Sequence, residues 1–351
     1  MNRRVFLLLL VLFLLLFPKL LHPKGAYHYR MPEKSEGINP SAITVVGAFR
    51  DYIIKEDDTL LDVARNFDLG YQELVLFHPD IDPWVPPAGK KIKIPSFWVL
   101  PIFNTRGIVI NIPEFRLYLY LKEIQMVKTY PIGVGVLDWP TPFGSFKVVE
   151  RTRNPTWHIP PSLQEKYGRK YIPPGPDNPL GDYWLRLSNY DYGIHGTNSP
   201  WGIGRLVSHG CIRLYPEDID ELFSLVKLGT PVEIIYEPIK IGFNDGHIFV
   251  EAHSDIYNKL PEALLYTTKK LFSYRIWKEV DLDLLVQALE EKKGVPVDIT
   301  KKKERAVTES LPPLIGFTSA ILFQKSSHTF LQPLQPYGQQ LQPFWQQPRP
   351  Y

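Results

Sequence analysis

The stretch VSHGCIRL, Val207 to Leu214, holds the single cysteine of the chain, Cys211, with His209 two residues before it and Arg213 two residues after it. Just upstream, YGIHGTNSPWGIGRL (Tyr192 to Leu206) carries His195, followed by Gly196 and Thr197. Strand-like segments hold His195 and Cys211, and a glycine-rich loop joins them, which can bring an imidazole to a thiol. Thiol attack on a carbonyl needs a base to take the proton, a group that orients the base, and donors for the oxyanion. His195 is the candidate base, and a backbone carbonyl or a hydroxyl can fix its tautomer. The turn Ser208-His209-Gly210-Cys211 can present the N–H groups of Gly210 and Cys211 as an oxyanion hole, such donors being worth about 3–4 kcal/mol each. Gly210 permits the close approach. Arg213 falls on the same strand face as Cys211, because side chains alternate with a period of two. Its guanidinium can hold a carboxylate through two hydrogen bonds.

Two other chemistries use the same residues. His195, His209 and Cys211 are three zinc-ligand types that leave a fourth position open. No second cysteine or suitably spaced acid accompanies them, so no metal is assigned. A lone cysteine is otherwise a small buried hydrophobe, a reading that two histidines and an arginine around it oppose. Acyl transfer through a thiol calls for no cofactor.

The elements that must position these residues are mostly strands. GIVINIPEFRLYLYL alternates apolar and polar residues around a turn near Pro113, and MVKTYPIGVG, GSFKVVERT, YWLRLS and PVEIIYEP are further β-rich runs between Gly and Pro. One helix stands out, PEDIDELFSLV, which begins with Pro216 and two acids and lines Ile219, Leu222 and Phe223 on one face. These features predict a mainly β domain with one helix beside the cysteine stretch.

His-Gly-Thr, a Gly-rich loop and then SHGCIRL resemble the signature of the L,D-transpeptidases, the YkuD-type catalytic domain. GIVINIPEFRLYLY is similar to that family's opening hairpin. WPTPFGSFKVVERTRNPTW resembles its Pro-Thr-Pro-x-Gly-x-Phe segment with the Asn-Pro-x-Trp that follows, and PPGPDNPLGDYWLRLS the stretch before the histidine strand. The match spans roughly Arg106 to Glu237, and the wider organisation resembles the periplasmic ErfK/YbiS-type branch. The resemblance implies that Cys211 attacks the carbonyl of the third stem-peptide residue of peptidoglycan and expels D-Ala, with His195 as base and then acid. It gives Gly196 the role of orienting His195 through its carbonyl. It also places His209 and Gly210 at the oxyanion, and Arg213, Ser208, Thr197 and Trp157 on the substrate side. The acyl acceptor is a diaminopimelate amine, the lysine of an outer-membrane lipoprotein, or water. A hydrolase of the same fold and an inactive wall-binding protein are the competing functions.

Residues 50–96 form a separate unit. YIIK reads as a strand, and DDTLLDVARNF as a helix capped by Asp58 or Thr59 with Asp62 three after Thr59. Leu60, Val63, Ala64 and Phe67 share a face, and Gly70 is placed to end the helix. YQELVLFHP is a second helix and KKIKIP a closing strand. This small α+β order resembles the LysM module, which implies binding to glycan strands, although Asp57-Asp58-Thr59 and His78-Pro79 stand where that family has Gly-Asp-Thr and Asn-Pro.

The remainder sets the context. Arg3 and Arg4 precede an apolar run from Val5 to Phe17, shorter than the ~20 residues of a membrane span. Residues 1–25 therefore read as an export signal or uncleaved anchor, which implies the periplasm or cell envelope and membrane contact through this segment alone. Residues 26–49 read as an irregular spacer, and 104–238 as the catalytic domain. Residues 239–305 form a mixed extension with helices at PEALLYTTKKLF and DLDLLVQALEEKK and no assigned chemistry, and 311–351 a Gln/Pro-rich tail that cannot form a core. A net charge of +3 on 351 residues, with no basic helix face, excludes nucleic acid as a partner.

Overall fold

The computed structural model describes residues 26–31, 42–101, 106–189 and 191–302. The signal segment and the Gln/Pro tail lie outside the described residues. Nine strands form one curled sheet: β1 (Ala26–His28), β2 (Gly107–Asn111), β3 (Arg116–Leu121), β4 (Met126–Pro131), β5 (Gly144–Arg153), β6 (Tyr183–Leu187), β7 (Gly193–His195), β8 (Ile212–Arg213) and β9 (Pro231–Ile235). Their order across the sheet is β1-β4-β3-β2-β9-β5-β6-β7-β8. The curl comes from β5, whose Gly144–Lys147 end pairs with β9 while its Val148–Arg153 end pairs with β6, with a register shift between Val148 and Glu150. An irregularity of this kind bends a strand and lets a sheet close on itself. The amphipathic helix Pro216–Leu225 fills the concave side, with Ile219, Leu222 and Phe223 buried against Ile194, Ile212 and Val232.

Residues 50–94 follow the expected strand–helix–helix–strand order. The strands Arg50–Ile53 and Lys91–Ile94 pair antiparallel around helices Leu60–Asn66 and Tyr71–Phe77. Thr59 caps the first helix, its hydroxyl accepting the Asp62 amide while the Asp62 carboxylate reaches back to the Thr59 amide. Gly70 does not end that helix. The chain turns at Asp68, which takes φ 57°, and Gly70 precedes the next helix instead. Its lack of a side chain is needed there, because a Cβ on Gly70 would lie 2.7 Å from the Cα of Gly204, on the loop between β7 and β8.

This unit does not hang from the sheet by a tether. It covers the sheet's outer face in a common core, in which Leu60, Val63, Leu74 and Trp98 pack with Val109, Tyr118, Tyr120 and Val127 of β2, β3 and β4. The hairpin of β2 and β3 is consequently buried on both faces, not half-exposed as its alternating pattern suggests. The expected spacer is also structured where described: β1 pairs with β4, and Val45–Gly47 pairs with Phe97–Val99. The short polar run conceals this because its pairing partners lie 50 or more residues downstream. In the extension, Ile239–Asn244, His247–Ala252 and Val297–Asp298 form a three-stranded sheet. Helices Ala263–Ser273 and Leu282–Glu291 cover it, and the two helices expected there both form. No helix among the described residues is long and apolar enough to cross a membrane.

Candidate active site

The two parallel strands at the sheet's edge, β7 and β8, set Ile194 opposite Ile212 and His195 opposite Arg213. Parallel pairing in this register brings the residue just before β8, Cys211, alongside Gly193, whose N–H donates to the thiol. A Cβ on Gly193 would enter the Trp184 ring at 2.4 Å, so only glycine brings this amide to the sulfur with that ring behind it. The glycine-rich loop that connects the strands is pinned to the N-terminal unit through the Tyr71 amide on the Ile203 carbonyl at 3.1 Å.

His195 is buried, with 3% of its surface exposed. Its Nδ1 lies 2.7 Å from the Gly196 carbonyl. A carbonyl only accepts, so Nδ1 carries the proton and Nε2 keeps the lone pair of a base. Burial pushes the imidazole down to about 3, the Arg213 charge adding to the effect and the Gly196 and Leu180 carbonyls opposing it. Cys211 keeps some exposure, but burial pushes its thiol above the ordinary value, against the Gly193 amide and the Arg213 charge, which pull it down. Burial therefore favours the uncharged form of both the thiol and the imidazole.

The remaining residues singled out in the sequence divide into two groups. Arg213 is inside the site: its charge acts on His195, Cys211 and His209, and its Nε is buried with no hydrogen-bond partner among the described residues. His209 is at the exposed rim, where burial, Lys166 and Arg213 together lower its pKa. Ser208 and Thr197 are both engaged within their own turns. Ser208 is buried, donates to the Cys211 carbonyl and accepts the Gly210 amide at 3.1 Å. It shapes the turn from within. The Gly210 amide, expected at the oxyanion, is engaged by that hydroxyl, and Gly210 itself takes φ 103° against the Tyr192 ring. Thr197 is also buried and accepts the Ser199 amide at 3.0 Å. Trp157 packs edge-on against Tyr167, at 5.0 Å, in the segment that carries Lys166, so it supports the rim one residue removed from it.

The zinc alternative is not favoured by geometry. Among the described residues, the group of three potential ligands whose donor atoms lie within 4.8 Å of one another is Glu114, Glu251 and His253, in the core of the molecule. Lys240 already bridges the two carboxylates there.

Sequence reasoning missed one wall of the site. Val134–Gly135 runs parallel to Leu206–Ser208, and the following turn sets Trp139 against His209, ring centroids 4.6 Å apart. Trp139 is 53% exposed. Its signal lay in WPTPFGSF, where a tryptophan between Gly135 and Gly144 and just before two prolines passes as a loop residue.

Residues 105–234 match the YkuD family, the L,D-transpeptidase catalytic domain. The chain is similar to the probable L,D-transpeptidase YcfS of Escherichia coli (strain K12), 35% identical over 75% of this chain and 87% of that protein. It is also similar to the probable L,D-transpeptidase ErfK/SrfK of the same organism, 33% identical over 82% of this chain and 95% of that protein. Among solved structures, the catalytic domain of the E. faecium L,D-transpeptidase is 25% identical, with 38% of this chain and all of that one aligned at a TM-score of 0.31.

Proposed function

Since this chain belongs to the L,D-transpeptidase family, we propose that it performs cell-wall transpeptidation with Cys211 as nucleophile and His195 as base. The observation that carries the assignment is the Nδ1–Gly196 contact, which leaves Nε2 of a buried neutral imidazole as the one free base on the strand beside the thiol. His195 takes the thiol proton as the sulfur bonds to the carbonyl carbon of the third stem residue of a peptidoglycan tetrapeptide. The carbonyl π electrons move to oxygen, and collapse of the adduct breaks the bond to D-Ala, whose amine takes the proton back from His195. An incoming amine repeats the sequence in reverse and frees the thiol. With the Gly210 amide held by Ser208, the oxyanion donors are assigned to Cys211's own amide and to the rim beside His209. Arg213 supplies a cation for a stem-peptide carboxylate.

The βααβ unit acts as a LysM-like contact to the glycan. Trp84 and Val85, exposed on the loop before its last strand and fixed by Asp82, offer the apolar surface for a sugar face. Arg3, Arg4 and the apolar run after them support a periplasmic location, in which an outer-membrane lipoprotein lysine is a second acceptor. Mass analysis of products from purified muropeptides decides between transfer and hydrolysis. Cross-linked dimers or an amine adduct are expected when acceptor is supplied, and tripeptide as the sole product would make the protein a hydrolase.

A further inference from the structure

The C-terminal extension reaches the active site through Tyr257. Tyr257 is buried, with 7% of its surface exposed, and belongs to the catalytic domain's core although it lies after β9. Its hydroxyl donates to the Gly135 carbonyl at 2.6 Å and accepts the Thr141 amide at 3.3 Å. The Thr141 hydroxyl in turn accepts the Gly135 amide at 2.9 Å. Both ends of the turn that carries Trp139 are thus tied to a single phenol. The turn has little slack, because a Cβ on Gly135 would lie 2.2 Å from the Trp139 carbonyl.

Tyr257 is itself held firmly. Its ring stacks on Tyr236 with centroids 5.8 Å apart, and its amide donates to the Tyr236 hydroxyl at 2.7 Å. Tyr236 donates to Asp255, which also accepts the amides of Lys259 and Leu260. At the far end of this chain of contacts, Trp139 lies on His209, and the Pro140 carbonyl would lie 3.4 Å from a Cβ at Gly210 in the turn before Cys211.

We propose that Tyr257 is a positioning residue of the active site: it holds the Gly135–Thr141 turn so that Trp139 forms a fixed wall over His209 beside Cys211. The proposal rests on Cys211 being the nucleophile. Hydroxyl removal leaves the ring packing in place, frees the turn, and lets Trp139 leave His209, so the acyl donor is held less well while the thiol itself is untouched.

The test compares D-Ala release from disaccharide-tetrapeptide by the full chain, Tyr257→Phe, Trp139→Ala, the double variant and Leu285→Ala. Leu285 is buried in the extension's own core, away from the turn, and serves as a control for general destabilisation. Tyr257→Phe is expected to lower kcat/KM about tenfold, the scale of one buried hydrogen bond, while alkylation of Cys211 by iodoacetamide keeps its wild-type rate. Trp139→Ala should lose as much, and the double variant no more than Trp139→Ala, because both act through one turn. Leu285→Ala should unfold at lower temperature yet keep wild-type kcat/KM. Wild-type kcat/KM in Tyr257→Phe, additive losses in the double variant, or an equal loss in Leu285→Ala would each overturn the proposal. Should Tyr257→Phe not fold, Thr141→Val removes the hydroxyl that accepts the Gly135 amide and loosens the same turn at its other closure, with the same expected loss and the same overturning result. Release that persists in Cys211→Ala would instead remove the nucleophile assignment, a separate outcome.

Discussion

At the scale of single residues, burial sets the chemistry. His195 and Cys211 are shifted in opposite directions by the same cause, loss of water around the charged form. The pair therefore rests uncharged, unlike a thiolate–imidazolium couple. Alkylation of Cys211 by iodoacetamide should then keep rising with pH through about 9, the thiol's ordinary value. A rate plateau below neutrality would show a stored thiolate and contradict this account. The depressed imidazole also has a sign for stability. The folded state holds His195 neutral, so its contribution is complete above the ordinary 6.5 and is lost as pH falls toward about 3. The candidate nucleophile, base and cation are offered directly by the sequence, because they stand within two short motifs. The tasks of Ser208, Thr197 and Gly210 are not, since a serine beside a nucleophile looks the same whether its hydroxyl faces substrate or the backbone of its own turn.

At the scale of elements, local signals carry over and distant pairings stay hidden. The Thr59–Asp62 box and the period of the Pro216 helix need only neighbours in sequence, and both appear where the pattern places them. Arg116 shows the opposite case. Within an alternating hairpin it reads as a solvent-facing charge, yet it is fully buried. It pairs with Glu73 of the second N-terminal helix and also reaches the Thr129 hydroxyl and the Asp68 carbonyl. The Trp98 ring lies 4.3 Å from its guanidinium, and the indole N–H donates to Glu73 as well. Nothing local announces a partner 43 residues away. Breaking a buried pair leaves one charge without compensation. Glu73→Ala should therefore cost about 3–5 kcal/mol in urea unfolding, whereas Glu73→Ala combined with Arg116→Met should recover most of that loss. A single variant within 1 kcal/mol of wild type would mean that water reaches Arg116 and that the contact holds nothing together.

At the scale of the whole molecule, three sequence segments that read as spacer, wall-binding module and appendage are built into one body around the curled sheet. The N-terminal unit and the sheet share a core, and each fully buried Val- or Leu-sized side chain contributes about 1.5–3 kcal/mol. Uncovering Val109, Tyr118, Tyr120 and Val127 removes a sum comparable to the ~5–15 kcal/mol net stability of a domain. Deleting residues 50–96 should hence give insoluble protein, where a tethered module would leave soluble, active enzyme. Soluble, monomeric truncated chain with normal turnover would refute the shared core. The extension is bound in the same way: Glu251 and Lys240 meet Glu114 beside the β2–β3 turn, and Tyr257 reaches the Trp139 turn. Composition and periodicity suggest where one segment gives way to the next, but whether segments fuse depends on faces that show only when the partner is in place. The central claim remains the thiol beside a neutral base, and intact-mass analysis of the full chain after brief mixing with disaccharide-tetrapeptide tests it most directly. The account predicts one acyl group on Cys211 with free D-Ala released, no adduct in Cys211→Ala, and strongly slowed formation in His195→Ala. D-Ala release at the wild-type rate by Cys211→Ala would contradict it.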